Sequence, residues 1–167
     1  GPHAPYTCPV EYLQKVIEAA QANNAEIQMH LCETKGEVEN CIKEHGVTPI
    51  KLMDQLRMFE QGTIAAHCVY LTEDDMDIMA AKNVRVAPQS NLKLASGIAP
   101  VARMLEKGIC VGLGTDGASS NNNLDMLEEC RAAAMLHKTT TLNPLAVPAA
   151  QAWDMATVNG AKVLGFD

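Results

Sequence analysis

The sequence predicts an α/β fold on a parallel sheet, and three observations lead there. Short β-prone runs alternate with amphipathic helical patterns along the whole 167-residue chain, the order that strand-helix-strand crossovers require. No linker, low-complexity tract or repeat interrupts that alternation. Three of the runs end in polar motifs: Met29-His30-Leu31-Cys32-Glu33-Thr34, Ala65-Ala66-His67-Cys68-Val69 and Gly112-Leu113-Gly114-Thr115-Asp116-Gly117. A fourth motif, Pro2-His3-Ala4-Pro5-Tyr6-Thr7, precedes them. In a parallel α/β barrel the C-terminal strand ends form the mouth where active sites sit.

The elements follow in order. Residues 9–23 read as a helix with Pro9 near its start and Val10, Leu13, Ile17 and Ala20 along one face. Residues 26–31 are a strand. Thr34 caps a helix over residues 37–45, and Thr48-Pro49 opens a short one with Ile50, Met53 and Leu56 inward. Residues 63–69 are the next strand. Thr72-Glu73-Asp74-Asp75 has capping-box spacing, with Asp75 in place of the usual Glu or Gln, ahead of a helix to Ala81. Residues 84–87 make a minimal strand and 88–97 a polar loop. Pro100 begins a helix to about Lys107, and residues 109–113 are the last strand. A Gly-, Ser- and Asn-rich mouth loop over residues 114–123 leads to helices over 125–137, 148–155 and 157–164, the last closed by Gly165.

Composition narrows the function. With 47% hydrophobic residues the chain can fill one core. Thirteen basic against twenty acidic residues give a net charge of −7, which argues against nucleic acid or an anionic membrane as partner by general electrostatics. Cys8, Cys32, Cys41, Cys68, Cys110 and Cys130 include no Cys-x-x-Cys pair. Several lie in apolar runs as small hydrophobes, so a reduced, cytoplasmic protein is expected. No signal peptide or membrane-length apolar run is seen.

Two imidazoles and two carboxylates on successive strand ends are the parts of a metal hydrolase. Each has a plainer reading. An isolated His30 or His67 would ordinarily be a hydrogen-bonded core imidazole, and an isolated Glu33 an exposed loop acid. Asp116 follows the apolar run from Val111, where an unpaired buried carboxylate is costly. Ser120 is equally a turn serine. His45 and His137 fall in helical patterns and read as surface or packing residues, and Met76, Met79, Met126 and Met135 as core. Ser90-Asn91-Leu92-Lys93 has the spacing of a Ser/Lys nucleophile pair but lacks its companion motifs. Gly112-Leu113-Gly114 lacks the third glycine of a dinucleotide site.

The runs Gly1-Pro2-His3-Ala4-Pro5-Tyr6-Thr7-Cys8, His30-Leu31-Cys32-Glu33-Thr34, Ser90-Asn91-Leu92-Lys93-Leu94-Ala95-Ser96-Gly97-Ile98-Ala99-Pro100-Val101 and Gly112-Leu113-Gly114-Thr115-Asp116-Gly117-Ala118-Ser119-Ser120-Asn121-Asn122 resemble the amidohydrolase superfamily. Within it they most resemble the 5-methylthioadenosine/S-adenosylhomocysteine deaminases, over nearly the whole chain. The resemblance implies a partial TIM-type (β/α)8 barrel, roughly strands 5 to 8 with their helices, as a single unit over residues 1–167. It implies hydrolytic deamination of an adenine nucleoside with one divalent metal, zinc first and iron as the alternative. His30 and Asp116 are then metal ligands. Glu33 transfers a proton to the purine, His67 orients the attacking water, and Asp116 also acts as general base. His3, Glu33 and Ser120 contact the substrate. The nearest rival is another amidohydrolase acting on a purine, pyrimidine or triazine ring; a non-catalytic half-barrel is the rival of a different class. The Pro-Cys-x-x-Cys signature of cytidine-type deaminases is absent.

Two departures stand out. The family's His-x-His pair, source of two further ligands, has no counterpart among the five His, and a complete barrel needs at least about 200 residues. The chain therefore reads as the C-terminal half of the barrel, inactive and weakly metal-binding alone, associating with the other half or with itself. The second departure is that Val84-Arg85-Val86-Ala87 leads straight to Pro88, where the family usually has His-Asn-Pro or His-Cys-Pro, so two residues are missing or the strand has diverged.

Overall fold

A computed structural model describes residues 1–87 and 95–166 of the chain. Three parallel strands, β1 (Ile27–Leu31), β2 (Thr63–His67) and β3 (Arg85–Ala87), lie side by side in chain order. Ile27 pairs with Thr63 and Leu31 with His67, while Ile64 to Ala66 pair with Arg85 to Ala87. Ahead of β1 the chain runs along its free edge, where the His30 N–H donates to the His3 carbonyl at 3.0 Å. Pro88 and the Ser90-Asn91-Leu92-Lys93 run lie outside the described residues.

The helices are α1 (Val10–Ala22), α2 (Lys35–His45), α3 (Pro49–Gln55), α4 (Glu73–Ala81), α5 (Val101–Glu106), α6 (Met126–Thr141), α7 (Ala149–Ala156) and α8 (Val158–Val163). A 3-10 turn over Met58–Glu60 leads into β2. Leu13 and Ile17 of α1 join Met29, Leu31, Met53, Met79, Val86, Met104 and Val111 in the main core. On the sheet's other face Ile64, Ala87 and Val163 form a smaller cluster, so α8 covers part of that side.

One device recurs where helices turn into strands. After α1, α4 and α5 a residue at φ 50, 54 and 79 (Asn24, Asn83, Gly108) ends the helix in the left-handed conformation. In each case the next N–H reaches back five residues, Ala25 to Ala20, Val84 to Met79 and Ile109 to Met104, at 2.9–3.0 Å. This is the Schellman closure, which only Gly and Asn accept cheaply. Gly165, at φ 76, closes α8 in the same way.

The expected capping box forms. Thr72 Oγ1 accepts from the Asp75 N–H and Asp75 accepts from the Thr72 N–H. Asp suffices because its carboxylate, fully buried, also takes the Thr48 hydroxyl at 2.5 Å, tying the N-terminus of α3 to that of α4.

Three expectations are corrected. The strand over residues 109–113 reduces to one parallel bridge, Val86 to Val111. The Leu113 N–H goes instead to the Met155 carbonyl at the end of α7, and Gly112 packs so closely on α8 that a Cβ would lie 3.2 Å from Val163. Helix α6 runs past His137 to Thr141, and in this last turn Thr139, Thr140 and Thr141 return their hydroxyls to the Leu136 and His137 carbonyls. Met135 is exposed rather than core; it lies on the outer side of α6 while His137 is buried.

Candidate active site

β1 delivers His30 and Glu33 to one place. Ile27, Met29 and Leu31 are buried on one face, so alternation puts half-buried His30 on the other. The His30 Nδ1 lies 2.7 Å from the His3 carbonyl. A carbonyl only accepts, so Nδ1 carries the proton and Nε2 keeps its lone pair. His3 is set likewise: its Nδ1 meets Thr7 Oγ1 at 2.8 Å while that hydroxyl donates to the Ala4 carbonyl, so Nδ1 donates and Nε2 is again the accepting atom.

His67 arrives by a different route. Regular pairing of Leu31 with His67 would send both side chains into the apolar core face. Instead His67 takes φ 67 and Cys68 φ 52, and the Cys68 N–H bonds back to the Ala66 carbonyl at 3.0 Å. This left-handed break ends the alternation at a cost of about 1–3 kcal/mol per residue. It lets the His67 ring stack on His30, with centroids 5.2 Å apart and planes 26° apart. His3 lies 4.9 Å from His30 and Tyr6 5.8 Å from His3, so a row of rings leads from the surface to buried His67.

Glu33 closes the group. Its Oε2 is 3.7 Å from His67 Nε2, its Oε1 accepts from Ser96 Oγ at 3.3 Å, and its side chain is 16% exposed. The Tyr6 hydroxyl is held above its ordinary pKa by desolvation first, then by the Glu33 and Glu37 carboxylates. Beneath the site the buried Cys68 thiol is pushed up by desolvation.

Asp116 lies on the loop following the Val111 bridge, at φ 60, and its Oδ2 accepts the Ser120 hydroxyl at 2.5 Å. The structure thus joins His3, His30, His67 and Glu33 by direct contact, and Asp116 with Ser120 as a second pair. The donor set suits a divalent metal: His30 offers a bare Nε2 with Nδ1 fixed by the His3 carbonyl, as ligating imidazoles usually are by a carbonyl or carboxylate, and Asp116 offers a carboxylate. Among the described residues no three His, Cys, Asp or Glu form a complete metal-binding group.

Sequence reasoning passed over Glu37 and Ser96. Thr34-Lys35-Gly36-Glu37 has the Thr-x-x-Glu spacing of a capping box, which was the available signal for Glu37. Ser96 sits in a motif whose contact with Glu33 depends on tertiary placement alone.

The comparisons bear on family and fold. A family model described as "Amidohydrolase family" matches residues 1–167. The chain is 54% identical to 5-methylthioadenosine/S-adenosylhomocysteine deaminase of Pelotomaculum thermopropionicum, over 99% of this chain and 39% of that protein. It is 51% identical to 5'-deoxyadenosine deaminase of Methanococcoides burtonii, over 100% of this chain and 39% of that one. Among solved structures it superposes on an adenosine deaminase from Xanthomonas campestris with bound zinc, at 37% identity and TM-score 0.94, covering 99% of this chain and 38% of that one. It therefore spans about two fifths of the length of the proteins it resembles, and with its whole length matched it belongs to the amidohydrolase family.

Proposed function

We propose that this chain is the C-terminal half of a (β/α)8-barrel deaminase, with β1, β2, β3 and the Val111 position as strands five to eight. The reaction is hydrolytic deamination of an adenine nucleoside, 5-methylthioadenosine or S-adenosylhomocysteine, in the cytoplasm. The observation that carries it is the sheltered Glu33 carboxylate beside His67 Nε2, in a row with His30. The names of relatives at 51–54% identity support the substrate class, and the zinc-bound neighbour supports the metal.

His30 and Asp116 hold a divalent ion, zinc first and iron as the alternative, whose chemistry when bound is to make a water acidic enough to attack at neutral pH. Glu33 stays off the ion and delivers a proton to the purine ring nitrogen. His67 orients the attacking water, and Asp116 takes a proton from it. His3 Nε2 and the Ser120 hydroxyl hold the nucleoside, Ser120 also fixing the Asp116 carboxylate. The water oxygen bonds to the amino-bearing carbon, and Asp116 passes its proton to the amino nitrogen. The carbon–nitrogen bond then breaks to release ammonia, and the remaining hydroxyl proton returns to Glu33 as the carbonyl forms.

The remaining ligands come from outside this chain, so alone it binds metal weakly and is inactive; two ligands leave an ion mostly hydrated. Exposed Leu127, Met135 and Leu142 on and after α6 are consistent with association with the other half of the barrel, or with another copy.

The test is Glu33→Gln in the intact enzyme. It keeps the metal and loses turnover by about a hundredfold or more, the scale of a lost general acid. Loss of the metal, or near-normal turnover, refutes the role.

A further inference from the structure

Glu37 is buried, 6% exposed, and has no place in the reaction just described. It is the third residue of α2, where a capping-box glutamate would reach back to the N-cap Thr34. Thr34 does accept from the Glu37 N–H at 3.2 Å. The Glu37 carboxylate, however, passes Thr34 and takes the two amides before it: Oε1 accepts from the Cys32 N–H and Oε2 from the Glu33 N–H, both at 2.8 Å.

Those amides belong to the turn that aims Glu33. Cys32 sits at φ 54, a conformation a non-glycine residue keeps only when its surroundings hold it. Its carbonyl accepts from the Val69 and Tyr70 N–H groups at 3.0 and 2.9 Å. Both peptide planes flanking Cys32 are thereby fixed, one end on Glu37 and the other on the loop that follows His67. The 3.7 Å between Glu33 and His67 is set across this joint.

We propose that Glu37 is a positioning residue for the deamination: its carboxylate, clamped on the Cys32 and Glu33 amides, holds the Glu33 side chain at its distance from His67. The inference rests on the role given to Glu33 above. A carboxylate suits the task because it has two acceptor oxygens and no donor. A glutamine offers one oxygen and sets an NH2 against the other amide, and an aspartate is one methylene too short to reach both.

The experiment is a double-mutant cycle in the full-length enzyme, with kcat, KM and thermal midpoint measured for wild type, Glu37→Gln, Glu33→Gln and the double variant. Glu37→Gln should lower kcat roughly ten- to a hundredfold, the scale of an ångström-level misplacement, with KM within about threefold. In the Glu33→Gln background the same change should leave kcat within about twofold, since there is no proton donor left to misplace. Glu37→Asp should fall between wild type and Glu37→Gln, and it carries the test if Glu37→Gln does not fold. Unchanged kcat in both Glu37 variants overturns the proposal. So does a kcat loss of equal size with and without Glu33, which marks Glu37 as acting on stability or another group. Near-normal activity of Glu33→Gln alone fails the functional reading itself and is read from the same set.

Discussion

Asp75→Ala should destabilise the fold far more than Asp75→Asn, and the structure says by how much. The Asp75 carboxylate is fully buried and takes the Thr48 hydroxyl at 2.5 Å, the Thr72 hydroxyl at 2.7 Å and the Thr72 N–H at 2.9 Å. Alanine removes the reciprocal half of one helix cap, worth about 1 kcal/mol. It also leaves the buried Thr48 hydroxyl short of its charged acceptor, about 1–3 kcal/mol, whereas the Thr72 N–H is on an exposed residue and can turn to water. The expected loss is therefore about 2–4 kcal/mol. Asparagine keeps an oxygen for Thr72 and turns its NH2 to Thr48, whose hydroxyl can accept as well as donate, so its cost should be about 1 kcal/mol. Urea unfolding of the intact enzyme measures both as midpoint shifts at constant slope. Equal losses for the two variants, or an alanine loss below about 0.5 kcal/mol, would refute the reasoning, because surface substitutions already span that range.

Gly97 sits at φ 128 with a prospective Cβ 2.7 Å from Val69 Cγ1 and 3.2 Å from Tyr70 Oη. Gly97→Ala should therefore cost roughly 1–3 kcal/mol in urea unfolding and lower kcat as it drags neighbouring Ser96 from Glu33; full stability would contradict the close approach. Burial raises the Glu37 pKa above its ordinary 4.5, against the pull of the Cys32 and Glu33 amide hydrogen bonds. The folded state then holds this proton longer than the unfolded state, so the contribution is fully present below about pH 4.5 and is lost as pH rises through the folded value. Glu37→Gln should flatten that fall in a midpoint-against-pH series, and an unchanged profile would remove Glu37 as its source.

Much of the fold was legible because local chemistry agreed with the tertiary outcome. Thr34, Thr48 and Thr72 each cap the helix expected of them, and the period-two pattern of Ile27, Met29 and Leu31 marks β1. What escaped depends on partners distant in sequence. The 109–113 segment has a strand's composition, but Leu113 finds its acceptor on α7. Nothing in Ala65-Ala66-His67-Cys68 announces two successive left-handed residues, yet that break turns His67 toward His30. His30, His67 and Glu33 could be picked out by strand-end position and resemblance. The capping-box spacing could mark Glu37 only as a helix cap, since its carboxylate serves the turn before the helix rather than the helix itself.

The most direct measurement is ammonia released from 5-methylthioadenosine per bound metal by the intact enzyme, wild type beside Glu33→Gln. The account predicts one ammonia per nucleoside consumed, equal metal in the two proteins and turnover lower by about a hundredfold or more in the variant. No ammonia from wild type carrying its full metal, or equal turnover per metal in both, would contradict it.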